Sequence, residues 1–417
     1  MSALAAKLLT GRGEASGIAL AQTILDGYRA LAPAQRRVWL AETARRLAPD
    51  PERLAEAARA YLAEPGEAQS AALASCAEPG RQELLRRLNR APGATLALVR
   101  MREDLLSIAD DGGAIAAFDR DFLHLFSSWF NGGFLVLRRI DWNSPANVLE
   151  KIIRYEAVHE IRGWDDLRRR LEPADRRLYA FFHPALGDEP LIFVEVALGA
   201  EIPSAIACLL APRRSPETPE AATVATFYSI SNTQRGLAGV SFGNFLIKRV
   251  VEDLRRDLPR LQTFVTLSPA PGFAAWLKRE RESFDAATRE RLADLDLPGW
   301  ADDPTRADAT SRVLAPLAAR YFLRERDGRG RVLDPVARFH LGNGASLERI
   351  DPLGDRSPAG LAQSHGLMVN YLYDLDRIED NHEAYANRRE VVASAAVRKL
   401  LANSLQPVAA AKPSHPT

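Results

Sequence analysis

Residues 223–267 read TVATFYSISNTQRGLAGVSFGNFLIKRVVEDLRRDLPRLQTFVTL, and the pattern of this segment predicts the fold of the second part of the chain. Two apolar runs, 223–230 and 261–267, have the length and composition of buried strands and are bounded by turn residues. Between them, residues 244–258 place apolar side chains at four-residue spacing, which predicts an amphipathic helix that Pro259 ends. The order strand, loop, helix, strand predicts a βαβ-like unit within a mixed α/β domain.

The loop of this unit contains Gly236, Gly239 and Gly243. Glycines let a backbone approach a ligand closely, and a helix that follows them offers free amides to a phosphate group. Glycines in connecting loops are also common for structural reasons, so both interpretations stay open. The layout is similar to the pyrophosphate loop of GNAT-type acyltransferases, which holds coenzyme A, although Ala238 and Ser241 depart from that pattern.

The second strand is followed at once by Ser268, in the sequence SPAPGF. A hydroxyl at the end of a buried strand is a common way to present a reactive group on a rigid support, although Ser before Pro is also a frequent turn residue. Further on, residues 334–345 read DPVARFHLGNGA and place His340 in what reads as a strand-like run. A lone histidine there is compatible with a purely structural role.

Taken together, residues 227–251, 266–273 and 334–345 resemble the malonyl-CoA decarboxylase family, and the likeness extends over 129–373. The resemblance implies a helical first domain, a GNAT-like second domain and an oligomer, with a tetramer favoured. The expected ligands are malonyl-CoA and acetyl-CoA, and neither a cofactor nor a metal is expected.

The resemblance also assigns residues to the site. It implies Ser268 and His340 as the catalytic pair, with Ser229 and Tyr373 in the polar network around it. It implies a malonyl-CoA-binding segment made of Ala238, Gly239, Val240, Ser241, Phe242, Gly243 and Asn244. The family often has Glu where Ser241 stands, which leaves the contribution of that carboxylate open in this chain.

The chemistry of such a reaction suits these residue types. Loss of CO2 from a malonyl thioester leaves negative charge at C2, which the thioester carbonyl accepts as an enolate without any further electron sink. A hydroxyl such as Ser268 can bind the carboxylate or the developing oxyanion. An imidazole such as His340 can protonate C2, because histidine changes charge close to neutral pH. Whether Ser268 itself accepts a proton stays open.

The first part of the chain differs in amino-acid composition. Residues 17–126 are rich in Ala, Leu, Arg and Glu, and Pro and Gly breaks divide them into five or six predicted helices. We therefore expect an α+β protein with a helical bundle over 1–128 that is structural or serves oligomerisation. A GNAT-like catalytic domain is expected over 129–405, and a disordered tail over 406–417.

Composition narrows the function classes. The 55 Lys and Arg residues nearly balance the 54 Asp and Glu residues, which argues against a nucleic-acid partner. Two cysteines supply neither a disulfide framework nor a zinc cluster. No apolar run approaches the roughly 20 residues of a membrane span. These features favour a cytoplasmic protein with no nucleic-acid or membrane partner.

Two alternatives to a decarboxylase remain at this stage. A GNAT-type acyltransferase would consume acyl-CoA only when an amine acceptor is supplied. A catalytically idle acyl-CoA sensor would bind malonyl-CoA and leave it unchanged, although the pairing of Ser268 with His340 speaks against it.

Overall fold

The structure, a computed structural model, describes residues 1–11, 13–109, 113–240 and 246–404. The chain divides into two compact units. The helical unit comprises Met1–Val136, Phe182–Leu191 and Asn232–Gly243, and the sheet unit comprises Leu137–Phe181, Ile192–Ser231 and Asn244–Thr417. The predicted tail over 406–417 lies outside the described residues, and the domain boundary after residue 128 stays a prediction.

Before residue 136, the described residues form eight α-helices: α1 Ser2–Leu8, α2 Glu14–Ala30, α3 Pro33–Arg46, α4 Pro51–Ala63, α5 Glu67–Ala77, α6 Gly80–Leu88, α7 Ala94–Leu106 and α8 Ala114–Trp129. Each predicted proline or glycine break falls between two helices or at the first residue of a helix. The predicted number of five or six helices was too low, because a further break separates α7 from α8. That break ends at Gly113, which precedes α8 with φ of +89°, so a glycine signal was present in the sequence and was missed.

The apolar faces of these helices form the core of the helical unit. Ala21, Leu25 and Tyr28 of α2 are buried, and Leu84 and Leu85 of α6 are fully buried. Burying a side chain of leucine size stabilises a fold by about 1.5–3 kcal/mol. Among the described residues, no helix is both long enough and apolar enough to cross a membrane.

From residue 136 onward, the described residues form both strands and helices: β1 Val136–Ile140, α9 Ala146–Tyr155, α10 Trp164–Leu171, β2 Arg176–Phe182, β3 Pro190–Gly199, α11 Ile206–Leu210, β4 Val224–Asn232, α12 Leu246–Asp257, β5 Thr263–Thr266, β6 Ser268–Pro269, α13 Phe273–Glu280, α14 Ala286–Leu292, α15 Pro304–Leu323, α16 Pro335–Gly342, β7 Ser346–Asp351, α17 Pro358–Ser364, β8 Met368–Leu372, α18 Ile378–Arg388 and α19 Ala395–Ser404. The described strands form one sheet in the order β1-β2-β3-β4-β5-β8-β6, with β7 also paired to β8. A helical first region followed by a mixed-sheet region confirms the predicted fold class.

The predicted βαβ unit is present. Strands β4 and β5 pair in parallel, from Val224 opposite Thr263 to Phe227 opposite Thr266. Helix α12 connects them and buries its apolar face, including Val250 and Leu254.

Strand β8 fixes the position of the segment that carries Ser268. Val265 of β5 lies opposite Leu372, and Ser268 of β6 lies opposite Val369. Both pairs belong to the same antiparallel register, although the ladder is interrupted between β5 and β6. Ser268 therefore keeps the register with β8 across the interruption.

Candidate active site

Ser268, His340 and Tyr373 form a chain of hydrogen bonds in the sheet unit. The Oγ of Ser268 lies 3.0 Å from Nε2 of His340, and Nδ1 of the same imidazole lies 2.9 Å from the hydroxyl of Tyr373. All three side chains are buried, with 6%, 3% and 1% of their respective surfaces exposed. The structure thus brings together three of the four residues that the sequence predicted as catalytic.

The hydrogen-bond partners determine which nitrogen of His340 carries the proton. Ser268 donates its single hydroxyl proton to Oγ1 of Thr266 at 2.9 Å, so the Ser268 oxygen accepts from Nε2–H of His340. Nδ1 is then the acceptor, and the Tyr373 hydroxyl donates to it. Burial lowers the pKa of His340 to about 3, because the interior disfavours the imidazolium. The imidazole is therefore neutral in the free protein at neutral pH.

His340 lies on a helix, which corrects the interpretation of its surroundings as strand-like. Helix α16 begins at Pro335, and Asp334 caps it by accepting hydrogen bonds from the amides of Val336 and Ala337, both at 2.9 Å. An Asp followed by Pro at the first helical position is a common start signal. That signal was present in the sequence and was missed.

Asp334 also joins the two catalytic segments. Its Oδ2 accepts a hydrogen bond from the amide of Gly272 at 3.3 Å, four residues after Ser268. Gly272 is needed there because a Cβ would lie 2.4 Å from the hydroxyl of Tyr321. The same carboxylate thus caps the helix of His340 and holds the turn that follows Ser268.

Aromatic rings enclose the imidazole. The ring of Tyr371 stacks on His340, with centroids 4.6 Å apart and planes 25° from parallel. Tyr373 contacts the imidazole through its edge and packs in turn on Phe227 of β4. Such contacts hold the imidazole in one orientation and keep water away from it.

Ser229, the fourth predicted catalytic residue, bonds to a different group. Its hydroxyl lies 2.8 Å from both oxygens of Glu156, which also accepts a hydrogen bond from Ser231 at 3.1 Å. The parallel register pairs Phe227 with Thr266, and Ser229 and Ser268 each follow by two residues. Ser229 thus lies on β4, the strand that pairs with β5, and its proton is directed to Glu156.

A buried carboxyl group extends this second network. Glu195 is fully buried, accepts a hydrogen bond from the Tyr228 hydroxyl at 2.7 Å and lies 3.3 Å from the guanidinium of Arg170. Burial raises the pKa of Glu195 to about 8, helped by the nearby charge of Glu156 and opposed by Arg170. Sequence reasoning missed Glu156 and Glu195, since nothing in their local sequence marks them.

The predicted malonyl-CoA segment is described in part. Gly239 has φ of +80°, a conformation that favours glycine, and both Ala238 and Gly239 are exposed, whereas Val240 is buried. Gly236 is needed for packing, because a Cβ there would lie 2.0 Å from the carbonyl oxygen of Val99 in α7. The remaining predicted residues, Ser241, Phe242, Gly243 and Asn244, lie outside the described residues.

A buried arginine holds the described part of this loop within the helical unit. Arg102 of α7 donates to the carbonyl oxygens of Gly236 and Ala238, both at 2.8 Å, and pairs with Asp119 at 2.7 Å. These bonds fix the loop through its own carbonyl groups. In the part of the chain that the structure describes, no group of three His, Cys, Asp or Glu side chains is arranged to hold a metal ion.

A buried serine–histidine–tyrosine chain on a mixed sheet, preceded by a helical region, defines a class of α+β enzyme with acid–base chemistry. Two family models match the chain: the malonyl-CoA decarboxylase N-terminal domain over residues 47–130 and the C-terminal domain over 133–411. The chain therefore belongs to the malonyl-CoA decarboxylase family.

Individual proteins agree with this assignment. The crystal structure of malonyl-CoA decarboxylase from Rhodopseudomonas palustris is 57% identical, covers 95% of this chain and 98% of its own, and superposes with a TM-score of 0.92. The structure from Agrobacterium vitis is 56% identical at the same coverage, with a TM-score of 0.91. The mitochondrial malonyl-CoA decarboxylase of Anser anser anser is 40% identical over 340 residues, which are 75% of this chain and 67% of that protein.

Proposed function

We propose that this chain converts malonyl-CoA to acetyl-CoA and CO2 without a cofactor, through Ser268 and His340. The observation that carries the proposal is the hydrogen-bonded chain from Tyr373 through His340 to Ser268, in a member of the malonyl-CoA decarboxylase family. A hydroxyl and an imidazole 3.0 Å apart supply the two functions that the reaction needs, which are anion binding and proton donation.

The overall proton balance defines the role of His340. Malonyl-CoA enters with an ionised carboxylate, CO2 leaves as a neutral molecule, and C2 gains one proton. The neutral imidazole of the free protein cannot supply that proton as an imidazolium. The carboxylate of a bound substrate favours the charged imidazolium and so raises the pKa of His340. We propose that His340 takes up a proton as malonyl-CoA binds and delivers it to C2 after CO2 leaves.

Protonation of His340 changes the hydrogen bonds of the neighbouring hydroxyl groups. In the imidazolium both ring nitrogens donate, so the Tyr373 hydroxyl turns from donor to acceptor at Nδ1. We assign Ser268 to the substrate carboxylate and, after CO2 has left, to the negatively charged oxygen of the enolate. Ser229 is assigned to the polar edge of the same site, with its proton held by Glu156.

Coenzyme A binding is assigned to residues 238–244. The left-handed turn at Gly239 and the carbonyl groups fixed by Arg102 support this assignment, because such a turn exposes backbone amides to a phosphate group. We also propose a homotetramer and a cytoplasmic location. Light scattering of the purified protein and fractionation of cells would test these two proposals.

The experiment that tests the function is incubation of the protein, dialysed against a metal chelator, with malonyl-CoA alone. Mass spectrometry of the thioester should show acetyl-CoA, lighter by about 44 mass units, since one CO2 is lost and one proton stays on C2. Formation of acetyl-CoA without an amine excludes an acyltransferase as the main activity. Malonyl-CoA that is bound and recovered unchanged would instead indicate a sensor, and the proposal would be wrong.

A further inference from the structure

Ser268 has a second fixed partner that the reaction described so far does not use. Thr266 is fully buried at the end of β5, two residues before Ser268, and its Oγ1 accepts the Ser268 hydroxyl proton at 2.9 Å. The backbone amide of Tyr371 donates to the same Oγ1 at 3.2 Å. An amide can only donate, so one acceptor site of the Thr266 oxygen is always occupied by the strand β8.

The position of Thr266 in the sheet explains why its side chain makes this bond. The register that pairs Val265 with Leu372 and Ser268 with Val369 places Thr266 opposite Tyr371. At that point the backbone ladder is interrupted, and two other bonds replace it. The amide of Tyr371 bonds to the Thr266 hydroxyl, and the side-chain amide of Asn370 donates to the Thr266 carbonyl oxygen at 2.7 Å. The Thr266 hydroxyl is thus held by the sheet itself.

The direction of the bond has a consequence for the free protein. Ser268 has one proton, and in the free protein it is donated to Thr266. When a carboxylate arrives, the Ser268 proton must turn toward it, and the Ser268 oxygen then has a free acceptor site. Thr266 can fill that site with its own proton by a rotation of one hydroxyl, while the Tyr371 amide keeps the oxygen in place.

We propose that Thr266 is a positioning residue for Ser268, whose hydroxyl bond reverses when the malonyl carboxylate binds. In the free protein Ser268 donates to Thr266, and in the complex Thr266 donates to Ser268 while Ser268 donates to substrate. The reversal requires a rotation of the Thr266 hydroxyl and polarises the Ser268 hydroxyl toward the anion. This inference rests on the proposed function, because it gives Thr266 a role in that reaction.

The test compares two substitutions at Thr266. Thr266→Val keeps the shape and removes the hydroxyl, and we expect kcat for malonyl-CoA to fall by about 10- to 100-fold, with KM within about twofold. Thr266→Ser keeps the hydroxyl and should restore kcat to within about threefold of the original protein. If Thr266→Val has the original kcat, or if Thr266→Ser is equally impaired, the inference is wrong.

A matched control addresses loss of stability. Thr310 of α15 is also fully buried, and its hydroxyl has no hydrogen-bond partner among the described residues. Thr310→Val makes the same chemical change in the same unit and should leave kcat unchanged. Circular dichroism reports whether each variant folds, and Thr266→Cys, with a weakly bonding thiol of similar size, takes the place of Thr266→Val if that variant does not fold.

A double substitution separates positioning from a general structural effect. If Thr266 acts through Ser268, Thr266→Val should lower the residual rate of Ser268→Ala by less than about twofold. A full further decrease in that background would overturn the inference. An original protein that does not convert malonyl-CoA would overturn the proposed function as well, whereas an active protein with an unaffected Thr266→Val variant would overturn this inference alone.

Discussion

Asp334 and Gly272 are joined by a hydrogen bond of 3.3 Å between sequence positions 62 residues apart. Through it, the capping residue of the helix that carries His340 also holds the turn that follows Ser268. The distance of 3.0 Å between Ser268 and His340 therefore depends on a carboxylate that contacts neither of them in the hydrogen bonds described.

Replacement of Asp334 should affect both folding and catalysis. Asp334→Ala removes a cap and leaves the partly buried amide of Gly272 without its partner, so the free energy of unfolding should fall by about 3 kcal/mol. We expect kcat to fall as well, because the two catalytic segments lose their common anchor. Chemical denaturation and steady-state kinetics measure the two effects.

Asp303 provides the control for this prediction. It also precedes a proline and caps a helix, α15, by accepting from the amides of Thr305 and Arg306. Asp303→Ala should lower the free energy of unfolding by only about 1 kcal/mol and leave kcat unchanged. Equal kinetic effects of the two substitutions would show that Asp334 has no specific link to the site.

The ring of Tyr371 and its hydroxyl should differ in importance. The ring stacks on His340, whereas the hydroxyl is buried with no hydrogen-bond partner among the described residues. Tyr371→Phe should keep kcat and be as stable as the original protein or more so, because an unsatisfied buried hydroxyl is removed. Tyr371→Leu should lower kcat, because the imidazole loses its stacking partner. A loss of kcat in Tyr371→Phe would contradict this account.

The depressed pKa of His340 predicts a specific pH dependence of stability. Below pH 6.5 the unfolded chain binds a proton at this residue, whereas the folded protein does not until about pH 3. Protonation therefore favours unfolding over that window, and stability falls as pH is lowered from 6.5. His340→Gln lacks this effect. The difference in free energy of unfolding between the original protein and this variant should therefore change by about 1.4 kcal/mol per pH unit in that window.

Nuclear magnetic resonance of labelled histidine tests the same point directly. His340 should show a neutral imidazole protonated at Nε2 from pH 8 down to about pH 5. Its signal is assigned by its absence in His340→Gln. A titration of that signal near pH 6.5 would show that the folded protein stabilises the charged form and would contradict the burial argument.

Ser229 should matter through its contact with Glu156. Ser229→Ala removes the hydroxyl and should lower kcat less than Ser268→Ala does, because Ser229 directs its proton to Glu156. Glu156→Gln keeps the shape but removes the charge, and we expect it to resemble Ser229→Ala in kcat. Steady-state kinetics of both variants measures this, and a Ser229→Ala variant with the original kcat would remove Ser229 from the site.

The sequence was sufficient for the main architecture but not for all of the site. Periodicity predicted β4, α12 and β5 because each has a clear apolar pattern, and proline breaks predicted most helix boundaries in the first region. The helix that carries His340 was missed, although the pair Asp334-Pro335 is a common signal for the start of a helix. Thr266 could have been found as well. It precedes Ser268 by two residues, and residues two apart on a strand lie on the same face.

Other parts of the site have no local signal. Glu156 reaches Ser229 from 73 residues away, and the Glu195 carboxyl is buried among strands whose packing creates its environment. Such pairs depend on the tertiary fold, which periodicity and spacing do not encode. Gly236 was open to two interpretations from the sequence, and only the position of Val99 shows that packing requires it.

The most direct test of the central claim is a comparison of the original protein with His340→Gln in a single turnover of malonyl-CoA. Both proteins should bind the substrate with dissociation constants within a few-fold of each other. The original protein should form acetyl-CoA, and the variant should form it about 10²–10⁴-fold more slowly, because the proton donor to C2 is missing. Acetyl-CoA formed by His340→Gln at the original rate would contradict the account.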